Sequence, residues 1–404
     1  MEYSIDASEK NEEQYLEDLK NEVLEVLSTC INCRFCLPAC PLFEVTTGEV
    51  FHGGSGITRS LYYSLKWNEK GKDELKELRE ILYSCMMCKA CETTCKNSST
   101  GTRLLTAIQK GREILIEKMV GPMPEQKKVL ESLEKYGNPY DMNKSDREMW
   151  MKLLGAPQKE KESTEVLLFI GCTAPHDDYA GKMAKSLVKL LNKAKISYGI
   201  FEDEICCGHP ALTIGDSFIF NDIAEKNIEK FKKLDVKTIV TLSPHCFDTY
   251  KNKYPIDALK GIEVMHYTQF INKLIKEKRI TFSDRLDKIV TYHDPCYLGR
   301  HNGEYTAPRE ILSSIPGVNF VEFNRNKENA LCCGGGGGRM FVDIETETER
   351  LGKVRAREAG EIGAEVIATA CPWCIIMLTD GIKTEGLTEK VEAKDICELI
   401  LSAM

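Results

Sequence analysis

Two cysteine quartets of identical spacing constrain this chain more than any other feature. The segment CINCRFCLPACP holds Cys30, Cys33, Cys36 and Cys40, and CMMCKACETTCK holds Cys85, Cys88, Cys91 and Cys95. Each quartet reads C-x2-C-x2-C-x3-C, a spacing in which three thiolates wrap one iron-sulfur cubane and the fourth reaches another. We therefore predict two 4Fe-4S clusters with crossed ligands. One cluster takes Cys30, Cys33, Cys36 and Cys95, and the other takes Cys85, Cys88, Cys91 and Cys40.

Tetrahedral zinc is the alternative occupant of these quartets, because zinc also accepts four thiolates. Two zinc sites, however, would not explain why both quartets have three closely spaced cysteines followed by a fourth at a longer spacing. Pro41 follows the first quartet as in ferredoxins, whereas Lys96 follows the second. The chain has 18 cysteines and an acidic beginning without an apolar signal segment. We therefore expect metal or redox chemistry in a reducing compartment, not a disulfide scaffold.

Charge and hydropathy exclude several classes of function. The net charge is −8 and no block of Lys or Arg occurs, so we expect no nucleic-acid partner. The longest apolar stretch, VIATACPWCIIML, is too short and too rich in Cys and Pro to span a bilayer. We predict a cytoplasmic chain with no transmembrane segment of its own, which would reach a membrane only through a partner.

The remaining grouped cysteines indicate two copies of one domain. VLLFIGC, EICCGHP and TIVTLSPHC contribute Cys172, Cys206, Cys207 and Cys246. KIVTYHDPC, ALCCGGGGG and VIATACPWC contribute Cys296, Cys332, Cys333, Cys371 and Cys374. Corresponding cysteines lie 124, 126 and 128 residues apart. Only Cys397 stands outside all the groups, and we interpret it as a structural thiol on an apolar helix face.

Apolar, β-branched runs lead into the first and last cysteines of each copy, and amphipathic stretches lie between them. This alternation predicts a small parallel α/β sheet, whose ligands gather at the carboxyl ends of the strands. We predict a helical twin-cluster ferredoxin domain followed by two repeated cysteine-rich α/β domains. The predicted boundaries are 1–120 for the ferredoxin domain, 121–162 for a helical linker, and 163–285 and 286–404 for the two copies.

The C-terminal copy offers five thiolates, one more than a cubane binds. Either one cysteine is idle or the cluster has an unusual shape. Five glycines follow Cys333 directly. We predict that this run lets main-chain N–H groups donate to inorganic sulfide, with Gly334, Gly335 and Gly336 as cofactor-binding residues.

Charged and titratable residues flank Cys296. His293 is a candidate proton donor, although it and Asp294 could instead fix the loop. Arg300 and Arg339 are candidates for neutralising an anionic substrate, with surface ion pairs as the alternative.

The N-terminal copy lacks one cysteine, since Ser243 stands where the other copy has Cys371. Three interpretations remain open: a modified or smaller cluster on four thiolates, a tetrahedral zinc site, or an empty remnant. We favour a bound metal centre, because a remnant has no need of both adjacent cysteines. His209 and His245 could serve as substitute ligands, although hydrogen bonding or packing also explains them.

The CCG pair with a C-x2-C about 38 residues later, duplicated behind a twin ferredoxin motif, resembles the cysteine-rich CCG family of iron-sulfur oxidoreductases. That family includes the D-type component of heterodisulfide reductase and the iron-sulfur subunits of anaerobic dehydrogenases. The resemblance implies two cubanes and a noncubane 4Fe-4S cluster in the complete CCG site, at which a disulfide is reduced one electron at a time. The stretches SPHCFDTYKNKYP, TYHDPCYLGRHNGEYTAPRE and CCGGGGGRM resemble the electron-transfer branch most.

Two functions follow from this resemblance. The first is an oxidoreductase subunit that reduces a disulfide with electrons from a membrane cytochrome b or a flavoprotein. In that enzyme Cys296, Cys332, Cys333, Cys371 and Cys374 would be catalytic, together with His293 and Arg300. The alternative is a non-catalytic relay from a flavin dehydrogenase or electron-transfer flavoprotein to a quinone or membrane cytochrome. No G-x-G-x-x-G opens a helix after a strand, so the flavin belongs to a partner.

Overall fold

The computed structural model describes residues 12–46, 48–67, 72–97, 103–157, 166–201, 203–233, 236–343 and 347–404, with the backbone alone for 72–74. The chain divides into two units. Unit 1 comprises Met1–Glu131, Pro210–Phe220 and Gly334–Arg350, and unit 2 comprises Ser132–His209, Asn221–Cys333 and Leu351–Met404. The predicted boundary at 162/163 lies outside the described residues. The domain boundaries therefore stay predictions.

Helices form the framework of unit 1. They are α1 Glu12–Ser28, α2 Pro41–Val45, α3 Gly54–Lys66, α4 Lys72–Ser84, α5 Ala90–Thr94, α6 Leu104–Glu117 and α7 Pro124–Tyr136, which continues into unit 2. Apolar residues three and four apart give α1 a buried face of Leu19, Val23 and Val26, which packs on α6 and α3. The cysteine quartets lie in the loops around α2 and α5, except for Cys91, which lies within α5.

Two parallel sheets form unit 2. The first has the order β1-β2-β3, with β1 Val166–Phe169, β2 Thr238–Thr241 and β3 Glu263–His266. The second has the order β5-β4-β6-β7, with β4 Lys288–Tyr292, β5 Val318–Phe320, β6 Val366–Thr369 and β7 Glu392–Asp395. All strand pairs are parallel, so the carboxyl ends of the strands meet at one edge of each sheet. This confirms the predicted fold class.

Helices connect the strands of unit 2. They are α8 Lys144–Leu153, α9 Asp178–Lys193, α10 His209–Ile214, α11 Ser217–Lys233, α12 Pro244–Asn252, α13 Tyr267–Lys276, α14 Thr306–Ser314, α15 Leu351–Glu361, α16 Pro372–Thr384 and α17 Ile396–Ser402. Of these, α10 from Pro210 onward and the first turn of α11, as far as Phe220, belong to unit 1. One continuous core of buried apolar side chains joins both sheets, and it includes the lone Cys397.

The duplication is visible element by element. In both copies a proline opens the helix after the second of the corresponding strands, at Pro244 in α12 and Pro372 in α16. His266 and Asp395 each cap the following helix with a capping box. Corresponding cysteines of the two copies therefore follow corresponding strands. Among the described residues no helix is both long and apolar enough to cross a membrane.

Candidate iron-sulfur centres

The two ferredoxin-type loops share an uncommon backbone conformation. Asn32 and Arg34 have φ of 53° and 64°, and Met87 and Lys89, at the same positions of the second motif, have φ of 54° and 67°. The left-handed region costs a non-glycine residue roughly 1–2 kcal/mol. Such strain persists where the surrounding structure requires it. In both motifs the residues with this conformation lie between the first three cysteines, so it is confined to the part of the loop that carries the thiol triplet.

The first group of thiols lines a single cavity. Its cysteines are Cys30, Cys33, Cys36 and Cys95. Burial raises the pKa of the Cys36 thiol, neighbouring Cys30 and Cys95 raise it further, and a hydrogen bond with Ser55 opposes them. The last cysteine of the second motif thus lies with the first triplet.

The second group mirrors the first. Burial raises the pKa of the Cys40 thiol to about 12, with further contributions from Cys88 and Cys85. Burial likewise raises the pKa of Cys91, to which Cys85 and Cys40 add. A buried thiol with a raised pKa keeps its proton in the absence of metal, and a metal cation that binds the sulfur displaces that proton. The arrangement is the one that the crossed ligand sets require, and the chemistry of these residues fits iron-sulfur clusters.

Gly54 lies between the two groups, a position that the cysteine spacing did not reveal. A Cβ atom on Gly54 would lie 2.8 Å from Cys91 Cβ and 3.3 Å from Cys36 Cβ. A side chain would push apart one cysteine of each set. Within the second motif, the Met87 N–H donates to Cys85 Sγ at 3.4 Å. N–H···S contacts of this kind stabilise cluster sulfur.

Arg112 is a second residue that sequence reasoning missed. Its side chain is fully buried and donates to the carbonyl oxygens of Leu82 and Cys85 at 2.7 Å and of Gly337 at 2.9 Å. It also donates to Thr213 O and lies over the Tyr83 ring, 4.8 Å from its centroid. The guanidinium joins segments distant in sequence and places a positive charge beside the Cys85 loop.

The glycine run packs against the second ferredoxin-type motif within unit 1. A Cβ atom on Gly336 would lie 2.5 Å from Met86 O, and one on Gly337 would overlap Cys85 O. Gly338 has φ of 83° and lies against Gln126. Close approach to backbone therefore explains glycine at positions 336 and 337, and the left-handed φ favours glycine at position 338. The predicted donation of glycine amides to inorganic sulfide stays a prediction.

Four thiols of the N-terminal copy form one buried group. Glu204 lies two residues before Cys206 and Cys207 in the chain. Its carboxylate accepts hydrogen bonds from the backbone N–H groups of Ile170 and Gly171, at 2.9 and 2.7 Å, and so fixes the segment that leads into the cysteine pair. Burial opposes ionisation of Cys207, but hydrogen bonds from Cys206, Cys246 and the His209 N–H bring its pKa well below the usual value. Hydrogen bonds with Cys172 and Cys207 raise the pKa of Cys206.

The C-terminal copy repeats this pattern. Cys374 Sγ lies 3.4 Å from Cys333 Sγ, and ligand atoms of His293, Cys333 and Cys374 all lie within 4.8 Å of one another. Hydrogen bonds from Cys332 and Cys374 bring the pKa of Cys333 well below its usual value against the effect of burial, and His293 adds to them. The second cysteine of the CCG pair therefore has a lowered pKa in both copies.

Cys371 completes this group. Burial opposes its ionisation, yet hydrogen bonds with Cys374 and His245, together with the electrostatic interaction with the His245 ring, lower the pKa of Cys371 to about 5. Cys296, the fifth predicted ligand, is buried in the loop after β4.

His293 is held by a buried arginine. Arg355 Nε donates to His293 Nδ1 at 3.3 Å, and Arg355 also pairs with Glu358 at 2.7 Å. Burial lowers the pKa of Arg355 to about 10, while Glu358 works in the opposite direction. A neutral imidazole that accepts at Nδ1 carries its proton on Nε2. The ring can therefore donate a hydrogen bond at Nε2.

Asp294 and Arg300 brace loops. Asp294 accepts two hydrogen bonds from Arg309, at 2.8 and 2.9 Å, and one from the Lys327 N–H at 2.8 Å. Arg300 donates to Ala330 O at 2.7 Å and is nine-tenths buried. Arg339 pairs with Glu347 at 2.7 Å within unit 1. Roles for Arg300 and Arg339 toward an anionic substrate stay predictions.

Comparison with known proteins agrees with these centres. The 4Fe-4S dicluster domain matches residues 26–99, and the cysteine-rich CCG domain matches residues 166–249 and 290–379. The D-type component of the dihydromethanophenazine:CoB–CoM heterodisulfide reductase of Methanosarcina barkeri is 31% identical over 94% of each chain. The chain belongs to the CCG-domain iron-sulfur oxidoreductases. The CCG match covers both predicted copies and confirms the duplication.

Other members of the CCG-domain oxidoreductases are longer than this chain. A probable iron-sulfur-binding oxidoreductase, FadF of Bacillus subtilis, is 34% identical over 80% of this chain and 47% of its own length. The EtfAB:quinone oxidoreductase of Syntrophomonas wolfei is 28% identical over 100% of this chain and 62% of its own. This chain thus spans about half to two thirds of these two relatives.

A solved structure of a hypothetical protein from Helicobacter pylori has a similar fold. Its TM-score is 0.55 at 10% identity, covering 97% of this chain and 72% of that one. This likeness concerns the fold alone. From the domains and the relatives together, the chain is an iron-sulfur subunit of the oxidoreductase type that serves electron transfer.

Proposed function

We propose that this chain carries electrons through two cubanes to a noncubane 4Fe-4S cluster in the C-terminal CCG site, where a disulfide is reduced. The main observation behind this proposal is that Cys333, Cys371 and Cys374 lie close together, beside His293. The match to the D-type component of heterodisulfide reductase along 94% of both chains supports the same reaction.

The reaction requires two electrons and two protons for each disulfide. One S–S bond breaks, and each sulfur leaves as a thiol after gaining one electron and one proton. The electrons would come singly from the reduced cofactor of a partner, either a flavoprotein or a membrane cytochrome b. When bound, a cluster at this site supplies one-electron chemistry next to sulfur.

The side chains around the C-terminal thiols would then have separate tasks. Cys296, Cys332, Cys333, Cys371 and Cys374 would hold the cluster. His293, oriented by Arg355, would deliver a proton to a departing thiolate. Arg300, which donates to Ala330 O, would keep the segment before Cys332 in place.

A second candidate function is a relay without a substrate of its own. All five cysteines of the C-terminal copy are less than a tenth exposed, as befits an electron carrier that has no need to admit a substrate. The similarity to an EtfAB:quinone oxidoreductase supports this alternative. In that case the chain would link a flavin dehydrogenase or electron-transfer flavoprotein to a quinone or membrane cytochrome, from the cytoplasmic side.

For the N-terminal copy we propose a metal centre on four thiolates. Cys172, Cys206, Cys207 and Cys246 are all buried and linked by mutual hydrogen bonds. Both zinc and a modified iron-sulfur cluster suit four such thiolates. Metal analysis of the full chain with and without Cys246→Ala would distinguish them: loss of zinc identifies a zinc site, and loss of iron identifies a cluster.

One experiment separates reductase from relay. Protein purified without oxygen is reduced, mixed with the mixed disulfide of coenzymes M and B, and followed by electron paramagnetic resonance. A substrate-dependent signal that Cys333→Ser abolishes supports disulfide reduction, and Cys397→Ser serves as the matched control. No signal with disulfide, together with rapid reoxidation by a quinone or a flavoprotein, favours the relay.

A further inference from the structure

In each copy, the side chain at one corresponding position contacts the other copy. The segment Ser243-Pro244-His245-Cys246 corresponds to Cys371-Pro372-Trp373-Cys374. In each segment the third residue lies in the first turn of the helix that follows the strand. In both cases this residue contacts the cysteine region of the other copy, within unit 2.

His245 extends from the N-terminal copy to a cysteine of the C-terminal copy. Its Nδ1 lies 3.9 Å from Cys371 Sγ and 3.3 Å from Ser243 Oγ. The imidazole packs against Trp373, at a centroid distance of 4.2 Å, and against Tyr297, at 4.4 Å, with each ring plane tilted by 45° from its own. Only 6% of His245 is exposed, so the imidazole is fixed in this position.

Trp373 makes the reciprocal contact. Its Nε1 donates to Thr173 Oγ1 at 3.1 Å and to Tyr140 OH at 3.2 Å, and Thr173 directly follows Cys172 of the N-terminal copy. The same backbone position therefore twice places a ring nitrogen beside the cysteine region of the opposite copy. This repetition argues that the His245 contact is built into the fold.

Binding of a metal by Cys371 would decide which ring nitrogen of His245 carries the proton. A cysteine that binds metal is a thiolate and can only accept. Ser243 Oγ already accepts the backbone N–H of His245 at 3.2 Å, and it has a second lone pair. A proton on Nδ1 can therefore be donated to the Cys371 thiolate or shared with Ser243 Oγ, which lie 3.9 and 3.3 Å from Nδ1.

We propose that Ser243 and His245 belong functionally to the C-terminal centre: His245 donates a hydrogen bond to the Cys371 thiolate, and Ser243 orients the imidazole. This inference rests on the proposed cluster of the C-terminal copy. It gives the missing fifth cysteine of the N-terminal copy a role, since serine at position 243 orients the donor without competing for iron. His245 is thus a positioning residue for its neighbour copy.

Hydrogen bonds to ligating sulfur stabilise the reduced, more negative state of a cluster and raise its potential. Redox titration of the anaerobic full chain, followed by electron paramagnetic resonance, measures this effect. His245→Phe keeps the aromatic packing and removes the donor, and we expect it to lower the midpoint potential of the C-terminal centre and shift its g-values. His245→Gln, which keeps an N–H donor, should restore much of both, and Ser243→Ala should cause a smaller shift.

The controls separate the failure of this inference from the failure of the proposed function. His176→Phe replaces a histidine that stacks on Tyr140 at 4.2 Å, and it should leave the C-terminal signal unchanged. The cubane signals report the folding of unit 1 in every variant, and thermal melting of the full chain reports the folding of unit 2, which carries the substitutions. A wild-type chain without a C-terminal cluster would overturn the proposed function. A cluster whose potential and g-values are the same in wild type, His245→Phe and Ser243→Ala would overturn the inference alone.

Discussion

Gly336 lies so close to Met86 that a Cβ atom on the glycine would come within 2.5 Å of the Met86 carbonyl oxygen. The glycine run that follows the CCG pair therefore packs, within unit 1, on the loop that presents Cys85 and Cys88. Glycine is needed here because two stretches of backbone meet and leave no room for a side chain.

Gly336→Ala should disturb the cubane of the second triplet. Relieving this overlap requires a backbone shift, which typically costs about 1–3 kcal/mol. We expect a lower melting temperature and an altered signal of the cubane bound by Cys85, Cys88 and Cys91. Gly360→Ala is the matched control, because its Cβ would meet the flexible side chain of Leu387 at 3.3 Å. Unchanged cluster spectra in Gly336→Ala would refute a role for this glycine at either centre.

Gly54→Ala should affect both cubanes together. The added methyl group would meet Cys91 Cβ and Cys36 Cβ, one cysteine of each set. We expect iron to be lost from both clusters, and a change in the magnetic interaction between them in any protein that retains iron. Ser55→Ala, which removes a hydrogen bond to Cys36 alone, should alter only the first cubane. An effect of Gly54→Ala on a single cubane would contradict its placement between them.

Arg112→Met should destabilise unit 1 and lower the potential of the second cubane. Its loss leaves the buried carbonyls of Leu82, Cys85 and Gly337 without this donor, at about 1–3 kcal/mol for each group left unsatisfied. Loss of a positive charge also disfavours the reduced cluster. Arg112→Lys should keep most of the potential and lose stability. Thermal melting and redox titration measure the two effects, with the exposed Arg285→Met as control.

Asp395 should make the chain less stable as the pH rises from about 4 to about 7. Burial raises the pKa of this carboxyl to about 7, although hydrogen bonds from Tyr267 and the Cys397 N–H oppose the rise. Between these pH values the folded chain holds a proton that the unfolded chain releases, so the free energy of unfolding falls, by roughly 4 kcal/mol in total. Above about pH 7 the effect is complete.

Asp395→Asn tests this pH dependence. In the wild type, Asp395 accepts a hydrogen bond from the Cys397 N–H at 2.8 Å. Asparagine can accept the same hydrogen bond and cannot ionise. Melting temperatures measured from pH 4 to pH 8 should therefore fall less in the variant than in the wild type. Equal slopes in both proteins would show that Asp395 does not titrate in this range. Asp222→Asn, at an exposed position, is the control.

Local spacing predicted the parts of the fold that depend on neighbours in sequence. The quartets around Cys33 and Cys88 predicted loops that each gather three thiols. The β-branched runs before Cys296 and Cys371 predicted parallel strands that end at a common edge. These signals are short-range, because a thiolate motif or a strand period is complete within a few residues.

Contacts between distant segments left no such signal. Arg112 resembles any helical arginine in the sequence, and only the fold places its guanidinium among carbonyls from several segments. Nothing in the spacing of His245 indicates Cys371, which lies 126 residues away. The glycine run similarly suggested contact with a cluster, and the structure adds a contact with the backbone at Cys85 and Met86.

Iron and acid-labile sulfide in the full chain, prepared without oxygen, test the central claim most directly. Two cubanes alone require about eight iron atoms and about eight sulfides per chain, and a cluster in the C-terminal copy adds to both. We predict iron and sulfide in nearly equal amounts at or above this level. Zinc in place of iron, with no acid-labile sulfide, would contradict the electron-transfer account.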